Sequence, residues 1–174
     1  LVTLSPETFC EQMKWLADNN WRTVTSAELE YFYQGGTLPR KSVMLTFDDG
    51  YLDNWLRAWP VLKEYNLHAH IFLITGLIGK GNVRSRQEQE YSHRDCERLI
   101  ADNRSDEVML RWSEVREMRD SGLVEFHVHT HSHKRWDRLS VSRAEQCRLM
   151  KEDILVGKQC LTEKLGFCSS HLCW

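Results

Sequence analysis

Apolar residues recur at a spacing of three or four in five stretches of the chain, which places them on one face of a helix in each. Pro60 lies in the second half of one stretch and predicts a kink or break there, because proline removes a helical hydrogen bond. Gly122 and Gly166 predict the ends of the last two helices. The predicted helices begin after the capping residues Ser5, Thr25 and Ser142 and near residues 52 and 112.

Short apolar runs between these helices predict β-strands. The runs are residues 21–24, 42–47, 68–74 and 124–128, with 167–174 as a last candidate. Alternation of strand and helix predicts an α/β fold, with a parallel sheet wrapped by helices and either open or closed into a barrel. Functional sites in such folds gather at the carboxyl ends of the strands.

Residues 76–108 interrupt this alternation. Glycines at 76, 79 and 81 are followed by a long polar stretch. This pattern predicts a polar insertion loop, and loops of that length inside a compact domain usually have a function or little order.

The composition is that of one ordinary globular domain spanning residues 1–174. The chain has 41% hydrophobic and 28% charged residues and a formal net charge of −2. No run of Lys or Arg is long enough to create the field that a nucleic acid or an anionic membrane surface requires, so neither is an expected partner. No apolar run is long enough for a membrane span, and the first residues lack the layout of a signal peptide. The oligomeric state is not indicated.

Six cysteines occur without the paired spacing of a disulfide or metal framework. We therefore expect reduced thiols, which slightly favours a cytoplasmic location. Neither Cys168 nor Cys173 belongs to a CxxC motif, so a cysteine metal site is not predicted.

Two adjacent carboxylates, Asp48 and Asp49, follow the predicted strand at 42–47 in the stretch "LTFDDGY". Asp and Gly favour a tight turn, but carboxylates at a strand end also suit chemistry. The stretch "EFHVHTHSH" at 125–133 places four histidines after another predicted strand. One carboxylate with two imidazoles makes a three-ligand site that keeps a position open for water, the composition of catalytic zinc. The second carboxylate would then be free to act as a base.

The motif "TFDDG", followed by His129-Thr130 and His133, resembles the polysaccharide deacetylases of carbohydrate esterase family 4, also called the NodB-homology domain. The flanking segments are similar to bacterial members that act on exopolysaccharide. The resemblance implies a distorted, incomplete (β/α) barrel and a hydrolase that removes N-acetyl groups from the amino sugars of a glycan, acting on linear amides. It implies Zn²⁺ or another divalent transition ion as cofactor, and it makes the cell envelope or periplasm an alternative location.

By the same resemblance, Asp48 is the catalytic base, and Asp49, His129 and His133 are the metal ligands. His127 and His131 are additions to the family pattern and leave open an alternative ligand pair, 127 and 131. The family's later motifs, which supply an oxyanion region and a catalytic acid, would begin where this chain stops. We therefore expect a partial domain whose own activity is uncertain.

Two other functions compete with this interpretation. The stretch around His127 and His129 is similar to the first motif of metal-dependent phosphoesterases of the polymerase-and-histidinol-phosphatase type, where both residues would be ligands. A catalytically impaired carbohydrate-binding remnant is the third class. Trp136, just after the histidines, is the best candidate for a sugar contact, both in a deacetylase and in a carbohydrate-binding remnant.

Overall fold

A computed structural model of the chain describes residues 4–85, 87, 89, 91–167 and 170–174. Its helices are α1 (Pro6–Asp18), α2 (Ser26–Tyr33), α3 (Trp59–Glu64), α4 (His93–Ala101), α5 (Trp112–Asp120) and α6 (Arg143–Leu165). Its strands are β1 (Arg22–Thr23), β2 (Ser42–Val43), β3 (Thr46–Phe47), β4 (Ala69–Leu73) and β5 (Val124–Val128). Helical turns at Asn54–Ala58, Ser105–Glu107 and Trp136–Arg138 complete the elements.

The strands form two parallel sheets. One pairs β1 with β2, and the other has the order β3-β4-β5. The register aligns Phe47 with Ile71 and Leu73 with Val128, so the carboxyl ends of the three central strands lie along one edge. In the described part of the chain the sheets do not close, which agrees with a distorted, incomplete (β/α) barrel.

The core lies on one face of the three-stranded sheet. Ile71 of β4 and Phe126 of β5 are fully buried there, and Trp59 of α3 and Val115 of α5 pack in the same cluster. Side chains alternate along a strand, so His70 and His127 lie on the opposite face. His127 of β5 therefore belongs to the face that the helical core leaves free for other contacts.

The helix starts that capping residues predict are confirmed. Ser5 and Ser142 accept hydrogen bonds from the backbone N–H groups three residues on, and Thr25 forms a complete capping box with Glu28. At Pro60 the chain does not break. A π-helical turn at Asn54–Ala58 runs directly into α3, where Pro60 lies in the first turn.

The prediction of a loop over 76–108 is wrong for residues 93–101, which form α4 after the N-cap residue Ser92. The segment is also anchored internally. The guanidinium of the buried Arg84 donates to both carboxylate oxygens of Glu114, each at 2.8 Å, and to the carbonyl of Met109 at 2.6 Å. The described residues of this segment are therefore a folded part of the domain.

Two strand predictions need correction. Residues 42–47 form two short strands, β2 and β3, that belong to different sheets. In the predicted strand at 167–174, Leu172 makes an isolated parallel bridge to Val128, and residues 168 and 169 lie outside the described part.

The five cysteines that the structure describes are free, whereas Cys168 lies outside the described residues. No helix in the described ranges combines the length and the apolar character needed to span a bilayer.

Candidate metal centre

The carboxyl edge of the sheet gathers the residues singled out by their sequence motifs. Asp48 and Asp49 follow β3 directly, and His129 follows β5. The backbone N–H of His129 donates to the carbonyl of Leu73 at the end of β4, at 2.8 Å. The pairing of three adjacent parallel strands thus brings two distant motifs to one place.

A tight turn orients the side chain of Asp49. Its φ is 69°, in the left-handed region that Asp tolerates better than most residues, and Gly50 follows with φ 84°. The backbone N–H of Ile74 donates to the carbonyl of Asp49 at 3.1 Å, and that of Leu110 to the carbonyl of Gly50 at 2.9 Å. The turn and the chemistry suggested by "DDG" are therefore compatible, because the turn orients the carboxylate.

A second turn returns His133 toward His129. Thr130 and His133 both have positive φ values, 62° and 54°, and the buried hydroxyl of Thr130 accepts a hydrogen bond from the N–H of His133 at 3.0 Å. A β-branched residue with positive φ is a backbone outlier that surrounding contacts must hold. The result is that the two imidazole rings lie 4.8 Å apart, centre to centre.

Asp49 lies between these two rings. Its Oδ1 atom is 3.3 Å from Nε2 of His129 and 3.9 Å from Nε2 of His133. The same Oδ1 is buried and forms no hydrogen bond with any described residue. A buried carboxylate oxygen without a partner is costly, so this atom needs a cation or a proton beside it.

The tautomer of His129 also bears on whether a cation or a proton lies beside Oδ1 of Asp49. Its Nδ1 lies 2.9 Å from the carbonyl of Cys173, which can only accept, so Nδ1 carries the proton. In the neutral ring, Nε2 then presents a lone pair to the Asp49 oxygen. Burial alone would lower the pKa of His129, but the contacts with Asp49 and Cys173 raise it. One oxygen and two imidazole nitrogens form a donor set that fits Zn²⁺.

Asp48 approaches the same ring from the solvent side. It is exposed, and a carboxylate oxygen of Asp48, a nitrogen of His129 and the sulfur of Cys173 lie within 4.8 Å of one another. Burial, followed by the nearby Asp48, raises the pKa of the Cys173 thiol. Asp48 therefore stands next to the donor group while keeping contact with water.

The model of the polysaccharide deacetylase family matches residues 35–174. The chain belongs to the polysaccharide deacetylase family. It is 30% identical over 149 residues, 86% of its length, to a poly-β-1,6-N-acetyl-D-glucosamine N-deacetylase of Staphylococcus aureus, of which it covers 42%. It thus spans less than half of that relative.

Solved structures agree with this family. The structure of IcaB from Ammonifex degensii aligns with a TM-score of 0.74 and 28% identity, over 98% of this chain and 66% of that one. The Streptococcus pyogenes deacetylase PplD shares the fold with a TM-score of 0.71 and 22% identity, over 96% of this chain and 61% of that one.

In this family member, the alternative pair His127 and His131 does not meet Asp49. Nε2 of His127 lies 3.0 Å from Nδ1 of His70, and Nδ1 of His131 lies 2.9 Å from the hydroxyl of Thr75. Burial lowers the pKa of His127 to about 4 and also lowers that of His70, so both rings are neutral near pH 7. His127 and His129 thus belong to different clusters, and the phosphoesterase interpretation loses its ligand pair.

The loop that carries His133 is held by α6 through a residue that sequence analysis missed. The buried carboxylate of Asp153 accepts hydrogen bonds from the N–H and hydroxyl of Ser132, both at 3.0 Å, and from the indole N–H of Trp136 at 3.1 Å. An acidic residue among the apolar positions of a helix is a signal that could have identified it. Trp136 is half-buried, with its ring orientation set by this bond.

Proposed function

We propose that this chain supplies the metal-binding and base residues of a hydrolase that removes N-acetyl groups from the amino sugars of a glycan, a reaction on linear amides. Family membership supports the reaction class, and the name of the Staphylococcus aureus relative supports an N-acetylglucosamine polymer as substrate. The proposal depends mainly on the buried Oδ1 of Asp49, which faces two imidazole nitrogens and has no hydrogen-bond partner among the described residues.

In this proposal Asp49, His129 and His133 hold Zn²⁺ or another divalent transition ion. When bound, such an ion polarises an acetamide carbonyl and lowers the pKa of water. The carbonyl of Cys173 holds the Nδ1 proton of His129, so Nε2 stays available as a donor atom. The turn at Thr130 keeps the second imidazole beside the first.

Asp48 acts as the general base. Its carboxylate is exposed next to His129, where an incoming water and a sugar acetamide can both reach it. Asp48 accepts the proton that water loses as its oxygen attacks the acetamide carbon. Transfer of this proton to the leaving nitrogen and cleavage of the carbon–nitrogen bond then give acetate and a free amino group on the sugar.

Trp136 is proposed as a substrate contact. It follows the loop that carries His133, and its indole N–H is held by Asp153, which lowers the entropy lost when the ring stacks on a sugar. Trp136→Ala should therefore raise KM for an oligosaccharide more than it lowers kcat.

The test is acetate release from a β-1,6-linked N-acetylglucosamine oligomer by the purified chain, with zinc and after chelation. The proposal requires zinc-dependent release that Asp48→Asn lowers by roughly 10²- to 10⁴-fold. Oligomer binding without acetate release by the zinc-loaded chain would identify a carbohydrate-binding remnant instead. Hydrolysis of a phosphomonoester in place of the oligomer would overturn the assigned reaction.

A further inference from the structure

A second group of histidines lies on the sheet face opposite the helical core, set back along β4 and β5 from their carboxyl ends. His68 precedes β4 and His70 lies within it, while Glu125 and His127 lie on β5, with His70 and Glu125 directly opposite each other in the register. We refer to His68, His70, Glu125 and His127 as the interior histidine cluster. None of its residues has a role in the proposed deacetylation.

The imidazoles of the interior histidine cluster are buried beside one partly buried carboxylate, that of Glu125. His70 is fully buried, and His127 and His68 are 3% and 9% exposed. Burial raises the pKa of Glu125, but contacts with His68 and with Ser26 outweigh this and lower it to about 2. No Lys or Arg in the described ranges pairs with this carboxylate. Glu125 is partly buried, with 30% of its side chain exposed, and a carboxylate in this setting without an Arg or Lys partner favours a cation beside it.

The distances within the cluster match a common ligand. Nδ1 of His70 and Nε2 of His127 are 3.0 Å apart, and Oε2 of Glu125 is 3.9 Å from each of them. A point equidistant from these three atoms lies about 2.1 Å from each, which is the length of Zn–N and Zn–O bonds. The three atoms therefore surround a position suited to a small divalent ion.

Neighbouring contacts prepare the donor atoms. Nε2 of His70 lies 2.8 Å from the carbonyl of Val24, to which it donates, so Nδ1 of that ring carries a lone pair, which faces Nε2 of His127 at 3.0 Å and the hydroxyl of Ser26 at 3.4 Å. Nε2 of His68 is 3.0 Å from Oε1 of Glu125, yet it is buried and forms no hydrogen bond with any described residue. This nitrogen faces the same carboxylate and is therefore placed to act as a further ligand of an ion bound beside it.

We propose that the interior histidine cluster binds a second divalent transition ion, of the zinc type, through His70, His127 and Glu125, with His68 as a further ligand. His68 also lines a groove of about 560 Å³ with Trp21, Arg22 and Asn66, which offers an entry path from solvent. The bound ion ties β4 to β5. Binding to the folded chain alone therefore raises its stability.

Metal stoichiometry in a chain whose first centre is disabled tests this site. The double variant Asp49→Asn/His133→Asn is stripped with a chelator, equilibrated with Zn²⁺ and analysed by mass spectrometry of the metal after gel filtration. One ion per chain is expected, together with zinc-dependent shifts of the His68 and His70 ring signals in ¹⁵N NMR spectra and a higher Tm with zinc. A folded double variant that binds no zinc overturns the proposal.

Two glutamine variants separate the interior cluster from a surface site. Glu125→Gln in the double variant should lower zinc affinity more than about tenfold, and His68→Gln is the second variant if Glu125→Gln does not fold. Glu97→Gln is the matched control, because Glu97 lies 3.6 Å from His93 on the exposed face of α4. The assignment is contradicted if Glu97→Gln and Glu125→Gln lower zinc affinity equally, or if neither variant lowers it. The single variant Glu125→Gln keeps Asp49 and therefore the first metal centre. Zinc-dependent acetate release by this variant thus tests the proposed deacetylation independently of the interior histidine cluster.

Discussion

Oδ1 of Asp49 and Nε2 of His129 lie 3.3 Å apart at the ends of two strands that do not touch each other, because β4 separates β3 from β5. The carboxylate reaches across this gap through the left-handed backbone of Asp49. Contact between these atoms therefore depends on both the strand order and the turn.

The two adjacent aspartates should separate metal binding from turnover. Asp49→Asn removes the charged oxygen between the imidazoles, and zinc affinity of this centre should fall at least about tenfold. Asp48→Asn should keep the metal and lose acetate release. Zinc affinity is measured by competition with a chromogenic chelator in the Glu125→Gln background. Equal affinity in both aspartate variants would contradict the assigned roles.

Gly157→Ala should destabilise the domain although it adds a better helix former. An added Cβ would lie 2.9 Å from Cγ1 of Val128 and 3.3 Å from the carbonyl carbon of Thr130. Alanine gains about 1 kcal/mol in helix propensity, but overpacking against the stiff Val128 costs more, so a net loss of about 1–2 kcal/mol is expected in urea unfolding. The exposed Lys151→Ala is the control and should change stability little. A stabilised Gly157→Ala would refute the close packing.

The ion pair of Arg84 and Glu114 should be essential for the folded insertion. Arg84→Met leaves the fully buried Glu114 without its cation and should cost about 3–5 kcal/mol in the free energy of unfolding. Adding Glu114→Gln removes the unpaired charge and should restore part of that loss. Denaturant titrations compare the variants, and an Arg84→Met protein as stable as the wild type would argue against this role.

The capping box at α2 should make stability depend on pH in a defined direction. A hydrogen bond from the N–H of Thr25 lowers the pKa of Glu28 below its ordinary value of 4.5. A depressed carboxyl pKa adds stability above about pH 4.5, and that stability is lost as the pH falls through the lowered value.

Glu28→Gln should therefore cost less than about 1 kcal/mol at pH 7, since the side chain is partly exposed, and less at pH 3 than at pH 7. Urea unfolding at both pH values measures the difference. Glu11→Gln, at an exposed position of α1, is the control. A cost of Glu28→Gln that is independent of pH would contradict the mechanism.

Much of the fold could be predicted because local rules decide helix starts and strand runs. Ser5, Thr25 and Ser142 cap their helices as expected, and the strand at 124–128 has the predicted bounds. α4 was missed because its two buried residues, Cys96 and Leu99, lie in a strongly polar stretch, and short helices depend on tertiary packing.

The amino-acid sequence by itself determined which donor groups are present and in what order: two adjacent carboxylates after one apolar run and alternating imidazoles after another. Only the tertiary structure decided that His129 and His133 share Asp49, whereas His127 joins His70. The physical reason is that contacts between strands depend on register and on the positive φ values at Asp49, Thr130 and His133. Packing of the whole domain holds those dihedral angles, and no local period encodes them.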